Sequence, residues 1–165
     1  MRITKSLWAT AYHEAGHVII ALANKIAVHS VSIKPEGTTL GRAFTRNVLA
    51  GRWVDCDVST QNRLRMERYS MVLLAGPIAE RKFVKSNGGR CRCHGGSDYE
   101  TLIHYVSYFC GSDAMADAYI KLLHEMATLE VDAPHNWSRI ENLAEILIER
   151  GEVTKKTDPQ LFLRG

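Results

Sequence analysis

The sequence lacks a strong charge of either sign: 21 basic against 18 acidic residues leave +3 over 165 residues. On charge alone that balance argues for neither a nucleic acid nor a membrane surface as partner. Long apolar runs are missing too. Stretches such as Met71 to Ala75 fall far short of the roughly 18 residues that span a bilayer, so no membrane segment is expected. Met1-Arg2-Ile3-Thr4-Lys5 leads into a helical pattern and not into an apolar stretch with a cleavage site, so no signal peptide is expected either. Cysteine is scarce. Cys56, Cys91, Cys93 and Cys110 read as free thiols in a reducing, cytoplasmic setting. There is no internal repeat, no low-complexity segment and no Gly-x-x-x-x-Gly-Lys-Ser/Thr phosphate loop. The 45% hydrophobic and 24% charged residues exclude disordered and fibrous classes. The length predicts one domain over 1–165, with no room for a nucleotide-driven motor beside a second catalytic domain.

What is present is helical periodicity. Trp8, Ala11, Ala15, Val18, Ile19 and Leu22 recur at helical spacing and predict a helix from about Leu7 to Lys25. Val31 and Ile33 alternate with polar neighbours in a strand over 28–34, closed by a Pro35-Glu36-Gly37 turn. Residues 41–46 read as a second strand, which makes a small antiparallel sheet, and 47–58 as a loop. A long helix is expected over 59–84, bent or locally broken at Gly76-Pro77. A loop over 86–96 precedes a helix opened by the capping-box spacing of Ser97 and Glu100 and running through Phe109. Another helix runs from Ser112 to about Glu130. The next is capped by Asn136, carries the stripe Trp137, Ile140, Leu143, Ala144 and Leu147, and is stopped by Gly151. Thr157-Asp158-Pro159 announces one last turn. The expected class is mainly α, with a small antiparallel sheet near the N-terminus.

One motif carries chemistry. Tyr12-His13-Glu14-Ala15-Gly16-His17 contains His-Glu-x-x-His on the first helix. Four residues advance a helix by about 400°, so His13 and His17 project from one face, one turn apart, where both imidazoles can reach a Zn²⁺. Glu14 lies about 100° round from His13, placed to act as general base on a water without being a ligand. Ala15 and Gly16 keep the helix slim enough for a neighbouring segment to approach. Two histidines and a glutamate in an otherwise apolar segment are costly unless paired or bound to a metal. Two histidines do not complete a site, so a third ligand must come from elsewhere.

Four segments in order carry a family resemblance. Ala11 to His17, with the small-residue helix that follows, resembles the peptidase domain of FtsH-type ATP-dependent zinc metalloproteases. Val31-Ser32-Ile33-Lys34-Pro35-Glu36-Gly37 followed by Leu40-Gly41 is similar to the strand, turn and Leu-Gly that follow that family's zinc helix. Leu73-Leu74-Ala75-Gly76-Pro77-Ile78-Ala79-Glu80 with Phe83 resembles its Ala/Gly-rich helix, and Gly95-Gly96-Ser97-Asp98-Tyr99-Glu100 its Gly-x-x-x-Asp-Leu-Glu segment. The helix with Trp137, Leu143 and Leu147 fits its closing helices, so the likeness covers roughly residues 8–163. The resemblance implies that Asp98 is the third zinc ligand, beside His13 and His17, with Glu14 as catalytic base. A carboxylate in the first turn of a helix is kept ionised by the helix dipole, which agrees with that role. It also implies a polypeptide substrate and, because that family works as hexamers around an ATPase ring, a homo-oligomer and a separate ATPase chain.

The departures are specific. Pro77 stands where a basic residue is usual and Tyr99 where leucine is usual. The loop Gly88-Gly89-Arg90-Cys91-Arg92-Cys93-His94 has no counterpart, and its Cys91, Cys93 and His94 offer further metal donors. His29, His104, His124 and His135 read as surface or packed side chains, Trp8, Trp53 and Trp137 as core or groove residues. Arg63, Arg65 and Arg68, with Glu67, read as a solvated face. The expected function is zinc-dependent hydrolysis of flexible or unfolded polypeptides, with a substrate strand adding to the sheet edge near Val31 and Phe44. The rival is a catalytically inactive metal-binding interaction or sensor domain, and a third reading is a peptidase dedicated to one regulator protein.

Overall fold

A computed structural model describes residues 4–35, 41–45, 59–90 and 96–162, with backbone only at 44–45. Cys56, Cys91, Cys93, His94 and Trp53, and the expected loop over 47–58, lie outside the described residues. The order is α1 (Lys5–Ala23), β1 (Val28–Ser32), β2 (Arg42–Thr45), α2 (Thr60–Ser86), α3 (Ser97–Ser107), α4 (Asp113–Asp132), α5 (Pro134–Arg150), β3 (Glu152–Thr154) and a final 3₁₀ turn, Pro159–Phe162. The mainly helical class with a small antiparallel sheet is what the periodicity predicts. Among the described residues no helix is long and apolar enough to cross a membrane.

α1 is the central helix and packs against α2 and α5. It begins before Leu7 because Thr4 accepts the Leu7 N–H in its side chain (3.2 Å). It ends before Lys25, which turns left-handed at φ 61° while the Ile26 N–H reaches back to the Ala21 carbonyl (2.8 Å). A Cβ on Gly16 would lie 2.7 Å from the Ala75 carbonyl oxygen and 2.9 Å from the Ala79 Cβ. The slim stretch of α1 is therefore what lets α2 come so near. α2 runs unbroken through Gly76-Pro77, so the expected local break does not occur.

Two expected caps are corrected. α3 starts from Gly96 with no side-chain cap, so Ser97 and Glu100 form no capping box. α5 starts from Ala133 with Pro134 in the first turn, where the missing N–H costs nothing. Asn136 is inside that helix and 3% exposed, and its Nδ2 donates to the Glu130 carbonyl (2.8 Å). The α5 stripe of Ile140, Leu143, Ala144 and Leu147 is buried as its spacing predicts, and Gly151 ends the helix at φ 76°.

The sheet has the order β2-β1-β3, antiparallel throughout, with Val31 opposite Ala43 on one side and Val153 on the other. Both edges of the Val31 strand are therefore occupied. The expected edge near Val31 and Phe44 is that of β2, which carries Phe44 and is a terminal strand of the sheet among the described residues. β3 is only three residues long, too short to show an alternating pattern in sequence. Arg63 is no member of a solvated face. Its guanidinium stands over the Phe109 and Tyr119 rings (5.6 and 5.9 Å), and Glu67 accepts from the Tyr119 hydroxyl. Trp8 and Trp137 join Tyr12 and Phe83 in an aromatic cluster, as core or groove residues should.

Candidate metal centre

His13 and His17 stand on one face of α1 with ring centroids 4.7 Å apart. Each ring is held from behind by α2. The His13 Nδ1 donates to Glu80 Oε2 (2.9 Å), and the His17 Nδ1 donates to the Val72 carbonyl (2.7 Å). A carbonyl can only accept, so Nδ1 of His17 carries a proton, and Nε2 is the ring nitrogen turned toward the cleft. Both Nε2 atoms face Asp98, which the first turn of α3 brings across the cleft. Its Oδ2 lies 3.3 Å from His13 Nε2 and 3.4 Å from His17 Nε2. Backing of this kind, with Nδ1 tied and Nε2 turned to the cleft, is how metal-binding imidazoles are oriented.

The spacing fits a zinc ion. Bonds of about 2.0–2.1 Å in a tetrahedron keep ligand atoms about 3.3 Å apart. The two nitrogen–oxygen separations match that edge. Donor atoms of His13, His17 and Asp98 all lie within 4.8 Å of one another, the one such cluster of three among the described residues. His29, His104, His124 and His135 take no part in it, and His104 packs on Tyr105 and Tyr108.

The sequence reading did not attribute roles to three positions that the structure brings to the site. Val72, Gly76 and Glu80 follow one another at intervals of four on α2 and form the wall behind the imidazoles. A Cβ on Gly76 would fall 2.6 Å from His17 Cε1 and 2.9 Å from its Cδ2, so only glycine leaves the ring its place. The signal available in sequence was the pairing of Gly76 and Glu80 one helical turn apart. The Val72 role belongs to its backbone and has no signature.

Glu14 points to another side of the cleft, toward β2, and is 6% exposed. A Cβ on Gly41 would meet Thr10 Cγ2 at 2.8 Å and Glu14 Cγ at 3.0 Å, so this glycine also makes room. Burial raises the Glu14 carboxyl above its ordinary range, against the opposing pull of His17 and His13 and a hydrogen bond with the Ala43 backbone. Burial disfavours charge on His13, but hydrogen bonds with Asp98 and Glu80 outweigh it and push His13 up to about 10. Burial likewise works against an ionised Asp98, yet hydrogen bonds with His13 and His17 hold it well below the usual carboxylate range. The protein alone thus keeps a proton where a cation fits. Around these groups lies a cleft of about 800 Å³, walled by α1, β2, α2 and α3 and reaching Thr10, Tyr69 and Thr101.

No family model matches the chain. Over 73 residues, 43% of its length, it is 37% identical to the ATP-dependent zinc metalloprotease FtsH of Rickettsia typhi and, equally, to that of Rickettsia conorii. The FtsH of Magnetococcus marinus matches to the same extent. The matched stretch spans 10% of the length of each of these proteins. Over less than half its length, then, this chain is related in sequence to FtsH metalloproteases.

Proposed function

We propose that this chain is a zinc-dependent endopeptidase in which His13, His17 and Asp98 hold the metal and Glu14 is the general base. The observation that carries the reading is the meeting of two Nε2 atoms and one carboxylate oxygen, the oxygen at tetrahedral-edge separation from each nitrogen, beside a buried glutamate that is no member of the set. Bound there, zinc would polarise the scissile carbonyl and make water a better nucleophile near neutral pH. Glu14 takes a proton from that water as its oxygen bonds to the carbonyl carbon. It then gives the proton to the amine nitrogen as the carbon–nitrogen bond breaks. The raised proton affinity of Glu14 suits the second step. Glu80 and the Val72 carbonyl hold the imidazoles during both steps, and β2 offers an extended edge along which a substrate strand can lie. Nothing in this arrangement unfolds a substrate, so the substrates are flexible or unfolded polypeptides, unless a separate ATPase chain does the unfolding. Glu14→Gln should retain one equivalent of zinc and lose cleavage of casein. Zinc without cleavage in the unaltered chain would favour a metal-binding interaction domain.

A further inference from the structure

Behind Asp98 lies a second cavity of about 340 Å³, between α2, α3 and α4. It shares Leu73 and Asp98 with the main cleft, so the two adjoin beside the metal centre. Leu74, Pro77, Ile78 and Leu102 make its walls apolar. The volume is at the small end of the range for ligand sites, about 300–1,000 Å³, and suits a single residue better than a helix or strand. Pro77 and Tyr99, where the sequence departs from the FtsH pattern, both line it.

Arg81 of α2 and His124 of α4 are the basic residues of its lining. Arg81 lines the cavity and has neither an ion pair nor a hydrogen bond among the described residues, whereas the next residue, Lys82, is paired with Asp132 at 2.6 Å. α3 opens on the same cavity at Gly96, and no side chain caps its first N–H groups. The Asp98 carboxylate, the acidic group here, faces the two imidazoles. An apolar residue from mid-chain would fill the walls and leave the guanidinium without an anion. A terminal residue brings both the apolar side chain and the carboxylate.

We propose that this cavity receives the carboxyl-terminal residue of the polypeptide substrate, its apolar side chain between Leu74, Ile78 and Leu102 and its α-carboxylate on Arg81. The proposal rests on the peptidase reading for the identity of the ligand, but its test does not depend on cleavage. Peptides with a fluorescent N-terminus and one common body, ending in leucine acid, leucine amide or aspartate, are bound to the Glu14→Gln chain and followed by anisotropy. The leucine acid should bind about tenfold more tightly than the other two, the scale of one charge-assisted hydrogen bond. Arg81→Gln should remove the preference for acid over amide and leave the thermal stability unchanged. Equal binding of acid and amide, an acid preference that survives Arg81→Gln, or no binding of any peptide overturns the proposal. Casein cleavage by the unaltered chain is read separately, so a failed peptidase reading is distinguished from a failed end-group site.

Discussion

Gly76 and His17 are packed so closely that a methyl group on the glycine would lie 2.6 Å from the imidazole Cε1. His17 is 7% exposed and tied through Nδ1 to the Val72 carbonyl, so the ring cannot yield without breaking that bond. Two effects of opposite sign meet in Gly76→Ala. Inside a helix, alanine is better than glycine by about 1 kcal/mol. Overpacking a fixed ring costs about 1–3 kcal/mol, and displacing a metal-binding imidazole lowers zinc affinity by about 10- to 100-fold.

The overlap should win. Gly76→Ala is expected to melt at a lower temperature than the unaltered chain and to lose at least about tenfold in zinc affinity in a chelator competition. A more stable variant with unchanged zinc affinity would show that helix propensity governs this position and that the α2 wall does not hold the ring.

The spacing of His13 and His17 made half of the site readable in sequence, because two residues four apart on a helix share a face whatever surrounds them. Asp98 was different: it is 85 residues from His13, and only the resemblance pointed to it. The wall was less readable still, since Gly76 acts by lacking a side chain and Val72 through its backbone. Among the elements, long stripes such as that of α5 were legible, while β3 and the start of α5 were not. The three residues of β3 are too few for a period, and at α5 the pre-set φ of Pro134 outranked the capping preference of Asn136.

The pH dependence follows from His13 and Asp98. In the metal-free chain His13 is pushed from 6.5 up to about 10, so its contribution is complete below about 6.5 and fades as the pH rises through 10. Asp98 is shifted down from 3.8, so its contribution holds above that value and is lost in acid. The melting temperature in EDTA should therefore be highest between about pH 4 and 6.5 and fall toward pH 10. Zinc must displace the proton that His13 carries at neutral pH. Its apparent affinity should rise about tenfold per pH unit between pH 7 and 9, with about one proton released per ion at pH 7.5. Calorimetric titrations in two buffers of different ionisation heat measure that number. A value near zero at pH 7.5 would mean that His13 is neutral in the metal-free chain.

Gly41 separates proton handling from metal holding. Its missing side chain leaves space for Glu14 and Thr10, which hold the three atoms nearest a Cβ there. In Gly41→Ala the added methyl group would press on Glu14 Cγ and Oε1, both 3.0 Å away, while the α2 wall stays as it is. A general base moved by about 1 Å loses on the order of 100-fold in rate, because reaction needs the proton acceptor aligned with the water. Gly41→Ala should therefore lower kcat on casein by at least about tenfold and keep zinc affinity within about threefold of the unaltered chain. Gly76→Ala should do the reverse first, weakening zinc. Equal losses of zinc from both variants would contradict a Glu14 that works beside the metal without holding it.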